Sequence, residues 1–202
     1  MTRVAAVILA GGRGERLGGV NKALLLAGGR TLLDHALTAT SGCDLRLLSV
    51  GPEDWDVRGE IEHILDLPTD YGGPLAGVAA AVDRLAHEQP DMLFSIAVDT
   101  PLFPGDFLPR AIALLKTAPA VLASYAGQVY PTNALWRFDD IRGLADRVRS
   151  GSAPHSLKRL AEGLGAVPLD YSPLTPSDPF RNANTPDDLA FLRSAMEHGR
   201  RG

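Results

Sequence analysis

A glycine-rich run carrying cationic side chains is the stretch of the sequence best suited to chemistry: Leu9-Ala10-Gly11-Gly12-Arg13-Gly14-Glu15-Arg16-Leu17-Gly18-Gly19-Val20-Asn21-Lys22. Its glycines can take positive φ and bring backbone amides close to an anion. Arg16 and Lys22 can then set positive charge against a polyphosphate. The run is neither of the two familiar glycine loops. A phosphate-loop ATPase needs Lys plus Ser or Thr directly after the last glycine, and Val20-Asn21-Lys22-Ala23 lacks that order. The dinucleotide fingerprint needs a third glycine where Leu17 stands.

Three further segments carry groups that such a loop could use. Met92 to Val98 is an apolar run that delivers Asp99 at its end, a hard oxygen donor suited to Mg²⁺ beside phosphate oxygens. Capping of the next helix is left to Asp106. Asp66-Leu67-Pro68-Thr69-Asp70-Tyr71-Gly72-Gly73-Pro74-Leu75-Ala76-Gly77 makes a rigid turn into a helix. Asp66 there either accepts hydrogen bonds from a base or ribose or bonds its own turn backbone. In Phe180-Arg181-Asn182-Ala183-Asn184-Thr185-Pro186, extended alternation puts Asn182 and Asn184 on one face and Arg181 on the other. The two amides either bind substrate or a metal shell, or are turn residues before the last helix.

These groups need a scaffold that brings distant segments together. Val4 to Leu9 is a short, continuous apolar run ending in glycines, as for a strand buried on both faces. Such runs recur at Leu45 to Val50, Met92 to Val98 and Ala120 to Ser124, with a shorter one at Ile61 to Leu65. Helical periodicity fills Thr31 to Thr40, Leu75 to His87 and Phe107 to Lys116. The alternation implies βαβ units with right-handed crossovers, hence an α/β, three-layer αβα sandwich with a mostly parallel, Rossmann-like twisted sheet. Ligands of such sheets bind at the carboxyl edge, where the glycine run and Asp99 both fall. Pro168 to Pro179 reads as a surface loop. Thr185 as cap, Pro186 at the first position and Asp187 and Asp188 in the first turn mark the start of the last helix. Met196 to Gly202 reads as a charged, frayed tail.

Composition narrows the class. The 202 residues suit one domain, 1–202, and 45% hydrophobic with 22% charged residues is globular rather than disordered. A net charge of -4 does not suit a nucleic-acid backbone. No uncharged apolar stretch reaches the roughly 18 residues a membrane span needs. Arg3 and the run to Ala10 suit a first strand better than a signal peptide, because Arg13, Glu15 and Arg16 follow at once. The lone Cys43 makes no internal disulfide or zinc framework, which suits a reducing cytoplasm. His35, His63, His87, His155 and His198 show no metal-ligand spacing, and no Gly-x-Ser-x-Gly elbow supports acyl hydrolysis.

Taken in order, these pieces resemble the molybdenum cofactor guanylyltransferase family, within the glycosyltransferase-A-like nucleotidyltransferases. The matching residues are Leu9-Ala10-Gly11-Gly12, Arg16, Gly18-Gly19, Lys22, Asp66, Gly73-Pro74-Leu75-Ala76-Gly77, Asp99-Thr100-Pro101, Pro131-Thr132 with Ala134-Leu135, and Asn182-Ala183-Asn184-Thr185-Pro186. The resemblance implies GTP over residues 9 to 12, with Lys22 on its phosphates. It implies Asp66 in the nucleotide site, Mg²⁺ on Asp99, and transfer of GMP to the terminal phosphate of molybdopterin with release of pyrophosphate. Arg16, Lys22 and Asp99 are the expected catalytic residues. Leu9, Ala10, Gly11, Gly12, Asp66, Pro74, Leu75, Gly77, Asn182 and Asn184 are the expected further substrate contacts. A cofactor-delivery protein is a further partner the family suggests, with no nucleic acid or membrane involved. The sequence departs from the family at Asn21, where Asp usually precedes the lysine, at the Ser49-Val50-Gly51 strand end, where Asn is common, and at Tyr130, where His is frequent. Arg149 to Arg159 has no sharp match. A relative using CTP or another phosphate acceptor, and a non-catalytic nucleotide-binding module, are the alternatives.

Overall fold

A computed structural model describes residues 2–11, 13–14, 20–51, 61–69 and 73–199. Its centre is a seven-stranded sheet. The strands are β1 (Val4–Leu9), β2 (Leu45–Ser49), β3 (Glu62–Ile64), β4 (Met92–Ala97), β5 (Ala120–Tyr125), β6 (Gln128–Arg137) and β7 (Val167–Asp170). They lie in the order β7-β5-β6-β4-β1-β2-β3. β1 pairs in parallel with β2 and β4, β2 with β3, and β5 with β7. β6 alone is inverted, running antiparallel to both β4 and β5.

Alternation along β1 shows why the sheet is covered on both faces. Val4, Ala6 and Ile8 pack into one core with α1 (Leu32–Ala39) and α3 (Phe107–Leu115). Ala5, Val7 and Leu9 pack into the other with α2 (Pro74–Arg84), α4 (Phe138–Ile141), α5 (Leu144–Arg149) and α6 (Leu157–Leu164). The last helix, α7 (Pro186–Gly199), returns Leu189 and Leu192 to the first core. Thr185 caps it as expected, its hydroxyl accepting the Asp188 N–H at 3.1 Å.

Three expectations change. Val167–Asp170, the start of the segment expected to be a loop, is an edge strand bonded to β5, in which Pro168 is tolerated because a sheet edge demands fewer donors. The last helix runs on to Gly199, past the expected start of the tail at Met196. Residues 200–202 lie outside the described set. Asp106 stands at the start of α3 but makes no capping bond, because its carboxylate is taken by Arg110 at 2.6 Å and by the Tyr171 hydroxyl at 2.8 Å. β6, α4 and α5 carried no clear periodic signal in the sequence, whereas α6 spaces Leu157, Leu160, Ala161 and Leu164 at helical intervals and is an addition to the helices expected above.

An aromatic cluster fixes the loops that leave the sheet edge. Phe103 lies just beyond Asp99, and its ring centroid sits 5.7 Å from Phe94, 5.1 Å from Phe107 and 5.5 Å from Phe180. Phe180 also meets Tyr171 edge-on at 5.3 Å and Tyr130 at 5.5 Å. The segment before Asn182 is therefore anchored to the same rings as the loop after Asp99. Phe180 is fully buried, so Phe180→Ala leaves a cavity the cluster cannot fill. We predict a loss of about 3–5 kcal/mol, read as a lower urea midpoint at unchanged slope.

Candidate nucleotide site

The carboxyl ends of β1, β2, β3 and β4 open on one edge, where a cavity of about 720 Å³ lies. Because β6 is inverted, its beginning reaches this edge and brings Thr132 to the wall. A bulge between Tyr130 and Ala134 makes that reach possible. Within it Asn133 is fully buried, and its Oδ1 replaces a ladder acceptor by taking the Ala97 N–H at 2.8 Å.

At one end of the cavity, Lys22 begins a short 3₁₀ turn, Lys22–Leu24, capped by Asn21, whose Oδ1 accepts the Ala23 N–H at 3.0 Å. The residue found where the family usually has Asp thus holds the turn without adding charge. The Lys22 Nζ donates to Asp99 Oδ2 at 3.0 Å and to Asn184 Oδ1 at 2.5 Å. Side-chain exposures of 15% for Lys22 and 13% for Asp99 make this a mostly desolvated ion pair rather than a surface contact. The backbone closes the same triangle, since the Ala183 N–H donates to the Asp99 C=O at 2.8 Å. Asn182 also lines the cavity, and its Oδ1 is buried without a hydrogen-bond partner among the described residues. Asp99 and Asn182 are hard oxygen donors, so this end fits a divalent cation that completes its shell with phosphate and water oxygens. No group of three or more His, Cys, Asp or Glu side chains forms a metal cage among the described residues.

At the other end stands Asp66. Its Oδ1 accepts the Ser49 hydroxyl at 2.5 Å, and its N–H donates to the Gly51 C=O at 2.9 Å. Burial holds its carboxyl above the usual carboxylate range, opposed by the hydrogen bonds from Ser49 and the Gly51 backbone. This corner depends on missing side chains. A Cβ on Gly11 would lie 2.7 Å from the Gly51 Cα, and one on Gly77 would lie 2.4 Å from the Ser49 Oγ. Leu9, Leu65, Leu67, Pro68 and Pro74 give the surrounding wall an apolar character.

Among the expected site residues, Leu9, Gly11, Lys22, Asp66, Pro74, Asp99 and Asn182 line the cavity together. Asn184 holds Lys22 from behind, and Gly77 makes room beneath Ser49 and Asp66. Two expectations are corrected at the side-chain level: Ala10 and Leu75 point into the two cores, 3% and 2% exposed, because each lies on the inward phase of its element. Gly12, Arg16, Gly18 and Gly19 lie outside the described residues. Arg181 points away as alternation requires, pairing with Asp188 at 2.9 Å and lying 4.3 Å over the Phe191 ring. Tyr130 faces the aromatic cluster and bonds Asp178. Ser49, Leu65, Leu67, Pro68, Thr69 and Thr132 also line the cavity, although the sequence analysis gave none of them a site role of its own. Cys43 is partly buried, and burial pushes its thiol up to about 12, which removes it as a nucleophile. No helix among the described residues is long and apolar enough to cross a membrane.

The chain matches the family model of the MobA-like NTP transferase domain over residues 6–167. It is 38% identical over 201 residues to a molybdenum cofactor guanylyltransferase of Acidiphilium cryptum (strain JF-5), covering 98% of this chain and 96% of that protein. The fold is shared with the molybdopterin-guanine dinucleotide biosynthesis protein A of Archaeoglobus fulgidus, at a TM-score of 0.73, 22% identity, 96% of this chain and 99% of that one. It is also shared with a Mycobacterium tuberculosis H37Rv protein crystallised with manganese, at a TM-score of 0.70, 18% identity, 96% of this chain and 100% of that one.

A carboxyl whose pKa rises on folding binds its proton more tightly in the native chain. It therefore favours the fold most at low pH, and that contribution falls away as pH climbs from the unfolded value of 3.8 through the raised one. Asp66→Asn removes this cost while keeping an acceptor for Ser49. Thermal unfolding across a pH series is expected to place the variant above wild type at neutral pH, with the gap closing as pH drops below about 4. An equal gap at every pH would contradict the buried carboxylate.

Proposed function

From the premise that this chain belongs to the MobA-like NTP transferase domain family, we propose that it is a nucleotidyltransferase that moves GMP from GTP onto the terminal phosphate of molybdopterin, releasing pyrophosphate. The observation that carries the reading is the convergence of Lys22 and Asp99, from residues 77 apart in sequence, at 3.0 Å in one cleft whose far end holds Asp66. The named relative spans nearly the whole chain, which supports reading residues 1–202 as one catalytic domain.

The acceptor phosphate needs no strong base, since its second pKa of ~6 leaves it largely ionised at neutral pH. One of its oxygens attacks the α-phosphorus, the bond to the β-phosphate oxygen breaks, and pyrophosphate leaves with that electron pair. Catalysis is then positioning and charge compensation. Lys22 takes the negative charge that builds on the leaving pyrophosphate, joined by Arg16 and by backbone amides of the loop from Leu9 to Gly12. Asn184, bonded to the Lys22 ammonium at 2.5 Å, keeps that cation from folding onto the surface. Asp99 and Asn182 would hold Mg²⁺, which when bound polarises and aligns the phosphates. The solved fold relative that carries manganese supports a divalent cation here. Asp66 reads the guanine edge, as a carboxylate only accepts hydrogen bonds and guanine presents adjacent N–H donors. Pro74, at the start of α2, and Leu9 flank the base.

The acceptor side falls to the Thr132 and Asn182 wall, and a delivery protein for the finished cofactor is the partner we infer beyond the two substrates. The single half-buried thiol accords with a reducing cytoplasm.

Purified protein with Mg²⁺, molybdopterin and each nucleoside triphosphate in turn tests this directly. Pyrophosphate release is expected with GTP; release driven by CTP, or GTP bound without turnover, overturns it. Lys22→Ala and Asp99→Ala are each expected to lose on the order of 10²–10³ in kcat, the scale of removing one transition-state charge partner. Both should retain the wild-type far-ultraviolet circular dichroism spectrum.

A further inference from the structure

Ser49 sits where the end of β2, the helix α2 and the Asp66 turn meet. Its hydroxyl sits on a 2% exposed residue at the end of β2. It is pressed against α2 at the one point where that helix has no side chain: a Cβ on Gly77 would lie 2.4 Å from the Ser49 Oγ and 3.1 Å from Asp66 Oδ1. The hydroxyl donates to Asp66 Oδ1 at 2.5 Å. Asp66 Oδ2 lies on the opposite side, 3.3 Å from where a Gly11 Cβ would stand, and Gly11 lines the cleft. The carboxylate is thus held through Oδ1 by Ser49 and is also bonded by the Gly51 backbone, with Oδ2 beside Gly11, which lines the cleft. A short aspartate has only two torsions to fix, and the Ser49 bond together with the Gly11, Gly51 and Gly77 walls fixes them.

We infer that Ser49 is a positioning residue for base selection, whose hydroxyl holds the Asp66 carboxylate so that its acceptor face meets the paired N–H donors of guanine. This rests on Asp66 being the guanine reader. The chemistry is asymmetric in the way selection requires. Guanine offers a ring N–H beside an exocyclic amino group, whereas cytosine sets its amino group beside a ring acceptor, whose lone pair a carboxylate repels. Released from Ser49, the same carboxylate could turn to meet a single donor, and discrimination would fall while binding persisted. Ser49 touches no reacting atom, so its loss should appear in KM and base preference rather than in kcat.

The test compares GTP with inosine triphosphate, which lacks the exocyclic amino group, in wild type, Ser49→Ala, Asp66→Asn and the double variant. The ratio of kcat/KM values for the two nucleotides is independent of how much of each preparation is folded. Ser49→Ala is expected to raise KM for GTP by about tenfold with kcat held within about twofold, the scale of a hydrogen bond to a charged group. It should shrink the GTP-to-inosine-triphosphate ratio, as Asp66→Asn does, and add nothing further in the Asp66→Asn background. If Asp66→Asn collapses the ratio but Ser49→Ala leaves it intact, or if Ser49→Ala costs the same in both backgrounds, the positioning role is overturned. If Asp66→Asn itself leaves the ratio unchanged, the guanine-reading role of Asp66 fails, and the Ser49 inference fails with it.

Discussion

Placing an ammonium and a carboxylate in a cleft where each is less than a sixth exposed costs solvation that a lone ion pair barely repays. The arrangement around Lys22 meets that cost by sharing it. The ammonium is bonded to Asp99 and Asn184 at once, and the Asp99 backbone is tied to Ala183. Three segments far apart in sequence, the turn after the glycine run, the end of β4 and the irregular segment before α7, are thereby held in one place. The aromatic cluster does the heavier packing, since Phe103 and Phe180 bring the loops on either side of that triangle into contact. Polar bonds set the geometry, and buried rings keep it from drifting.

The opposite corner follows a different rule. Around Asp66 the deciding residues are those with the least side chain. Gly11 and Gly51 approach until a single Cβ would collide, and Gly77 clears the space that Ser49 fills. The cleft thus has a charged end at Lys22 and Asp99 and a close-packed end at Asp66 with an apolar wall.

Much of this was legible in the sequence because the strands that build the nucleotide side are buried on both faces and read as continuous apolar runs. β1, β2, β4 and β5 were found within a residue or two of their ends. Asp99 and the glycine run stood out since each directly follows such a strand. β6 was not legible: its burial is uneven, it is interrupted by the bulge at Tyr130 to Ala134, and its inverted direction is a property of the sheet rather than of local pattern. β7 was hidden by Pro168, and α4 and α5 are too short to show a clear period; α6 does show one, with Leu157, Leu160, Ala161 and Leu164 on one face, and went unread. Ser49 looked like a missing amide. Its purpose emerges only when Gly77, from a different element, is seen to sit beneath it.

That glycine has a bearing on how the protein can be strengthened. A glycine inside a helix costs roughly 1 kcal/mol relative to alanine, so replacing helical glycines is a usual route to a hardier variant. In α6, Gly163 has nothing within 4 Å of the position its Cβ would take, and the usual gain applies. In α2 the same replacement would drive a methyl group into the Ser49 hydroxyl. The weak spot in that helix is therefore inseparable from the candidate site, and thermal hardening of this enzyme can begin at Gly163 of α6, on the same face of the sheet, while α2 is left as it is.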